Sequence, residues 1–430
     1  MCIFRICDLP ALAICHRLCY TIFCKNLLVK GMSYMEYMIS DNLASLKPSA
    51  IREIFKSLSD PSIISFAAGN PSPLSFPSKE LGEIAADIFA NHATAALQYS
   101  ITEGYPALRT AVADRLSRIF GIGRAFDTTI ITSGGQQGLE LTCRALCNPG
   151  DVVLCENPSF IGALNAFRAV GAKTVGIPLH EDGIDPADLE KALEEYPNTK
   201  MIYLIPTFQN PAGITTSEEK RRAIYEIARR HSVVILEDNP YGELRFAGTD
   251  VPTIKSMDED GIVVYCSSFS KILSAGMRVG FVCAPDKLVQ KMVVAKQCED
   301  VHTNILFQML CHRYMTEKDM DGHIAGIRSL YRDKCNLMLD CLDAHMPKEI
   351  HYTRPEGGLF IWCTLPDSIS MNDFVKRAIE RKVAVVPGTA FNCDTEAPSP
   401  SFRLNYSTPS DEDIRRGIEI LGNLAKEMLG

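Results

Sequence analysis

Apolar positions along this chain follow two periods. From about residue 79 onward they alternate in blocks. The runs 80–91 and 106–120 carry apolar residues at helical spacing, and the short apolar run 129–132 reads as a strand. The same rhythm predicts strands at 151–155, 173–178, 201–206, 233–237 and 262–266, with helices at 159–170, 186–195 and 217–230 between them. Strands that are apolar almost throughout, separated by amphipathic helices, require a mostly parallel sheet covered on both faces. Beyond Pro285 the chain turns helical, and Ile324, Ile327, Tyr331, Met338 and Leu342 mark one long helix. A mixed segment follows, with strands at 359–363, 384–386 and 401–406 and helices at 372–381 and from 411. Ahead of all this, Ile51, Ile54, Phe55 and Leu58 predict a helix, and a breaker-rich loop occupies 66–77.

The pattern divides the chain into a large α/β domain at 79–318, a smaller α+β domain at 319–430 and an N-terminal arm and loop at 36–78. Residues 1–35 stand apart as an extension interrupted by Arg5, Asp8, Pro10 and Arg17, neither a clean membrane span nor a signal peptide. The expectation is that they precede the functional chain, with Met32 or Met35 as the natural initiator. Cys15, His16 and Cys19 lack a second ligand pair at metal spacing, so no metal is expected.

Composition narrows the function. A chain of 430 residues, 46% of them hydrophobic, can bury a large core, and a net charge of −8 argues against a nucleic-acid surface. Sixteen cysteines without regular spacing, many in apolar runs, suit reduced thiols in the cytoplasm.

Chemistry concentrates where the predicted strands end, the edge at which such sheets bind ligands. Lys271 lies between two apolar strand-like runs, among Ser267, Ser268, Ser270, Ser274, Gly276 and Arg278. Hydroxyls and a fixed cation favour an anion, and a desolvated amine has the lowered pKa a Schiff-base nucleophile needs. Residues 133–136 form a strand–glycine turn–helix start that aims free N–H groups at an anion. Residues 157–160, Asn210, and Asp238 with Tyr241 occupy other strand ends. In the early loop, Gly69 and Asn70 are suited to presenting backbone N–H groups and an amide to a substrate. Arg403 is a lone cation in the strand Ser-Phe-Arg-Leu-Asn-Tyr, with a structural ion pair and a ligand carboxylate as competing roles.

The segments LKPSAIREI, LQYS, TSGGQQGLEL, ENPSF, PTFQNPAG, LEDNPYGELRF, SSFSKILSAGMRVGF, EGGLFIW and SFRLNYS together resemble the fold type I pyridoxal 5'-phosphate (PLP) aminotransferases of class I/II. The nearest subgroup is similar to the 2-aminoadipate and kynurenine aminotransferases. The resemblance implies an aspartate aminotransferase-like fold whose large domain has a mostly parallel seven-stranded sheet. It also implies ping-pong transfer of an amino group from an L-amino acid to a 2-oxo acid, 2-oxoglutarate being the expected acceptor.

By the same resemblance Lys271 is the Schiff-base lysine and proton carrier, and Asp238 is the partner of the cofactor's ring nitrogen. Asn210 and Tyr241 would contact the phenolate oxygen, and Phe160 would stack on the ring. Gly135, Gln136, Ser268, Ser270 and Arg278 would hold the phosphate. Tyr99 would reach the phosphate of a neighbouring subunit, which implies a homodimer, and Arg403 would take the substrate carboxylate. This chain departs from the family in having Phe160 where tyrosine is usual, and Ala68 and Asn70 where glycine and an apolar residue are usual. Asn70 would favour a polar substrate side chain. A PLP lyase or decarboxylase remains an alternative on the same fold. A sensor of the MocR regulator kind would need a DNA-binding domain ahead of residue 49, where the sequence is cysteine-rich rather than basic.

Overall fold

The computed structural model describes residues 37–44 and 60–430. Two compact units divide the chain, Met1–Ser45 and Leu46–Gly430. In the first, the described residues form a short helix, Asp41–Ala44. The expected helix over 51–58, and Cys15, His16, Cys19, Met32 and Met35, lie outside the described residues.

The second unit carries the strands. In chain order they are β1 Ile64–Ser65, β2 Asp127–Thr132, β3 Val152–Asn157, β4 Lys173–His180, β5 Gly183–Ile184, β6 Thr199–Leu204 and β7 Val234–Asp238. They continue with β8 Val263–Ser268, β9 Gly280–Pro285, β10 His351–Tyr352, β11 Phe360–Thr364, β12 Val383–Ala384, β13 Val386–Pro387 and β14 Ser401–Asn405.

The large sheet has the order β2-β9-β8-β7-β6-β3-β4-β5. Strands β8, β7, β6, β3 and β4 run parallel, whereas β9 is antiparallel to both its neighbours. Seven of these strands are the expected ones, and β5 is a two-residue addition at the edge. Alternate residues of the central strands enter different cores. Val153, Met201, Tyr203, Leu236 and Val264 join one apolar cluster, while Leu154, Ile202, Ile235 and Val263 join another on the opposite face. Each fully buried aliphatic side chain contributes about 1.5–3 kcal/mol.

Helix bounds follow local chemistry. Pro106 and Pro186 start their helices at the position that needs no N–H, Asp185 accepts the Ala187 N–H at 2.8 Å, and Gly121 closes Pro106–Phe120 in the left-handed conformation at φ 65°.

The smaller sheet, β10-β11-β14-β13, is antiparallel throughout. The helices Met320–His345 and Asp411–Leu429 pack on one another in this part of the chain. The expected single strand at 384–386 is divided. Val383–Ala384 pairs in parallel with β1, while Val386–Pro387 turns to pair with β14, so residues on either side of Val385 serve two sheets. Among the described residues no helix is long and apolar enough to cross a membrane. The described cysteines are free thiols, all buried except Cys298.

Candidate active site

Parallel strands bring their carboxyl ends to one edge, and β2 shares that direction because β9 reverses between it and β8. Thr132 and Ser268 both pair with Gly280, which joins the ends of β2 and β8 to the start of β9. Residues 133–136, 268–271 and 278 therefore converge from three segments.

At the turn after β2, Gly134 adopts φ 78° and ψ 170° ahead of the helix Gly135–Leu146, whose start has no side-chain cap. The first N–H groups of that helix thus remain available to an anion. Arg278, itself at φ 54°, lies against this turn, with Nη2 3.4 Å from the Ser133 carbonyl and Nη1 3.3 Å from that of Ala275. A Cβ on Gly134 would come within 2.3 Å of Arg278 Nη2. The Ser270 N–H donates to Ser268 Oγ at 3.1 Å, so both serines face the same small region. Gln136 differs from the expectation for its side chain: Nε2 donates to the Gly162 carbonyl at 2.7 Å, which leaves its backbone N–H as the group available at the helix start.

The Ser133 hydroxyl points into a partly buried network. Its Oγ donates to Asp300 at 2.6 Å, and Lys296 Nζ donates to Asp300, to Gln137 Oε1 at 2.7 Å and to Thr303 Oγ1 at 3.0 Å. Burial pushes Asp300 up, but hydrogen bonds from Lys296, Ser133 and Gln137 outweigh it and hold the carboxyl below its ordinary range. None of this network was read from the sequence.

Lys271 is half-buried, and Nζ donates to the Gly69 carbonyl at 2.7 Å. Burial pulls its pKa down to about 8, the positive charges of Arg403 and Arg278 add to the effect, and Asp238 opposes it. Asp238 closes β7 and is buried, and burial raises its carboxyl to about 7 against the opposing influence of Tyr203 and Lys271. Tyr241 is buried, with its hydroxyl 3.5 Å from Asn210 Nδ2 and its pKa raised by burial.

Arg403 is 2% exposed and has no carboxylate partner among the described residues. Its Nη1 donates to Asn210 Oδ1 at 2.7 Å and Nη2 to the Ala67 carbonyl at 2.9 Å, while Nε is buried without a partner. The guanidinium lies 4.2 Å from the Phe360 ring centre and 4.9 Å from that of Phe391, and burial lowers its pKa to about 10. A buried cation with no acid partner and an orphan donor calls for an anionic ligand.

The remaining residues are placed less centrally. Phe160 caps the helix Ile161–Val170, and its ring lies where a Cβ on Gly162 would stand. In the early loop the carbonyls of Gly69 and Asn70 are engaged within the protein. Gly69 O meets Lys271, and Asn70 O accepts from Ser407 and Thr408 while the Asn70 side chain is exposed. Tyr99 is 82% exposed and edge-on to His302, so this subunit does not bring it into its own site. Phe360, Tyr203 and Glu156 are given no role by the sequence because an aromatic or an acid in an apolar run carries no spacing signal, and Phe391 none because it ends a turn of no marked chemistry.

These residues fit PLP by their donor set. Uncapped N–H groups and an arginine with no acid partner among the described residues suit its phosphate, a carboxylate its ring nitrogen, and an amine of lowered pKa its aldehyde. Comparison with known proteins agrees. Residues 61–421 match the family "Aminotransferase class I and II". The aromatic-amino-acid aminotransferase 1 of Thermococcus litoralis is 38% identical over 92% of this chain and 95% of its own length. The 2-aminoadipate transaminase of Thermus thermophilus is 39% identical over 93% and 99%. The structure of an α-aminoadipate aminotransferase from Thermus thermophilus, complexed with N-(5'-phosphopyridoxyl)-L-leucine, superposes with a TM-score of 0.83 at 37% identity, covering 91% of this chain and 98% of that one. With its doubly covered, mostly parallel sheet and this edge of amine, carboxylate and arginines, the chain belongs to the class I and II aminotransferases, the fold type I transaminases that use pyridoxal 5'-phosphate.

Proposed function

We propose that the protein transfers the amino group of an L-amino acid to a 2-oxo acid, 2-oxoglutarate the expected acceptor, in two half-reactions on one site. Lys271 is the amine that would hold the cofactor through its aldehyde. The observation that carries this reading is the pairing of a half-buried Lys271, its pKa drawn to about 8, with the buried carboxyl of Asp238 and the acid-free guanidinium of Arg403. When bound, PLP supplies an electron sink for the substrate Cα.

The chain supplies everything else. Arg403 binds the substrate carboxylate through its buried guanidinium and fixes Cα relative to Lys271. Lys271 Nζ, neutral in a good fraction of molecules near pH 8, takes the Cα proton and returns it on the far side of the transfer. Asp238 would hold the positive charge of the ring nitrogen, and Arg278, Ser268, Ser270 and the N–H groups of Gly135 and Gln136 would bind the phosphate. Asn210 and Tyr241 would contact the phenolate oxygen, and Phe160 would stack on the ring. The Gly69 carbonyl accepts from the Lys271 amine at 2.7 Å and so helps to aim it.

Two copies form the active unit. Tyr99, Leu97 and Val301 are 82%, 71% and 45% exposed around the loop bearing His302, an apolar surface that suits a partner subunit. Light scattering of the purified protein tests this, and a monomer that turns over substrate would refute it.

The central test is borohydride reduction of the purified holoenzyme followed by peptide mass spectrometry. A pyridoxyl group on Lys271 is the expected result, and an adduct elsewhere or none refutes the reading. Half-reaction spectra with polar, apolar and aromatic amino acids then assign the donor and test whether Asn70 selects polar ones. Turnover that requires a 2-oxo acid separates transfer from lyase or decarboxylase chemistry.

A further inference from the structure

Tyr203 on β6 belongs to no part of the proposed function, yet it touches the centre of it. It is fully buried, its ring edge-on to Phe167 at 5.2 Å between centroids. In the parallel register Tyr203 pairs with Leu236 of β7, and Asp238, two residues further on, points to the same face. The Tyr203 hydroxyl donates to Asp238 Oδ2 at 2.8 Å, and among the described residues no other hydrogen bond reaches that carboxylate.

A phenylalanine would fill the same space without burying a hydroxyl, and a buried hydroxyl is costly unless it is bonded. The other groups near Asp238 do not replace it. Lys271 acts only through its charge, while Glu156 on β3, Cys266 on β8 and Tyr241 would each repel the carboxylate if ionised. We infer that Tyr203 is the positioning residue for Asp238, fixing Oδ2 so that Oδ1 is left for the ring nitrogen and holding the carboxyl ionised there. This rests on the assignment of Asp238 as the cofactor's counter-charge.

The test is Tyr203→Phe, with Phe167→Leu as a companion that disturbs the same packing but keeps the hydroxyl. Apoprotein of each is titrated with PLP across pH, turnover is measured at saturating PLP, and thermal unfolding of the apoprotein is recorded. Loss of a hydrogen bond to a charged acceptor predicts that Tyr203→Phe weakens PLP binding about tenfold or more. The acid limb of its binding profile moves to higher pH, because the bond that favours the ionised carboxyl is gone, and kcat falls while KM for the amino acid changes little. Phe167→Leu lowers the unfolding temperature and keeps the wild-type PLP affinity and profile. Wild-type affinity and an unmoved acid limb in Tyr203→Phe overturn the inference, as does an equal shift in both variants, which assigns the effect to packing. Absence of the Lys271 adduct in wild-type protein sinks the underlying reading instead, so the two failures are separable.

Discussion

Gly134→Ala is the most informative single perturbation of the phosphate cradle. Gly134 stands at φ 78° and ψ 170°, a region open essentially to glycine alone, and forcing a side chain into it costs about 1–3 kcal/mol. The new Cβ would lie 2.3 Å from Nη2 and 2.8 Å from Cζ of Arg278, so the guanidinium has to retreat by about 1 Å. Arginine is flexible and can move, so the fold survives, but the cation leaves the place where the phosphate needs it. A charge-assisted hydrogen bond lost in this way is worth about 1.5–3 kcal/mol, which corresponds to roughly a ten- to hundredfold weaker PLP complex. The assay is PLP titration of the apoprotein beside its thermal unfolding curve. Gly276→Ala in the neighbouring loop is the control, since a Cβ there meets nothing closer than 3.9 Å. PLP affinity in Gly134→Ala equal to wild type, or equal losses in both variants, would refute the reasoning.

Arg403→Lys removes the planar fork held between Phe360 and Phe391, and the amino-acid KM is expected to rise about a hundredfold while the Lys271 adduct still forms, as reduction and mass spectrometry would show. Asp238→Asn carries a pH signature. The folded carboxyl sits near 7 against an ordinary value of 3.8, so between these values the folded apoprotein binds more protons than the unfolded chain and this group costs stability as pH rises. The variant lacks that loss, so its unfolding temperature relative to wild type should be higher at pH 8 than at pH 5, with activity greatly reduced. Lys296→Met takes the buried amine away from Asp300, which keeps its bonds from Ser133 and Gln137, and is expected to destabilise the protein by about 1–3 kcal/mol, with weaker PLP binding, by chemical denaturation and titration.

Local chemistry made much of this fold readable. The helices Pro106–Phe120 and Pro186–Glu195 fall where expected because proline and a cap or glycine mark their ends. The parallel strands announce themselves because both faces are buried. Long-range pairing left no such mark. Nothing near Val385 signals that its neighbours bond to β1 on one side and β14 on the other, since both partners are distant in the chain. The site divides in the same way. Lys271, Asp238, Arg278 and Arg403 stand out as charges in apolar surroundings, whereas Tyr203 and Phe391 look like ordinary core until the sheet folds over them. Tyr99, exposed on this subunit, carries no mark here of the role proposed for it.

On the assignment proposed for Lys271 and Arg278, the loop between β8 and β9 works as a caliper. Its two ends are clamped together by the pairing of Ser268 with Gly280, and between them the chain carries Lys271 and, seven residues on, Arg278. The phosphate arm of PLP turns about single bonds, but its reach from the ring aldehyde is bounded, so the span from amine to guanidinium has a limited range of working openings. One residue gained or lost inside the clamp would reset that opening, and a slip in the antiparallel register would turn every side chain of β9 to the opposite face. Loop length and strand register are therefore a single measurement, taken once by folding and applied whenever the cofactor binds.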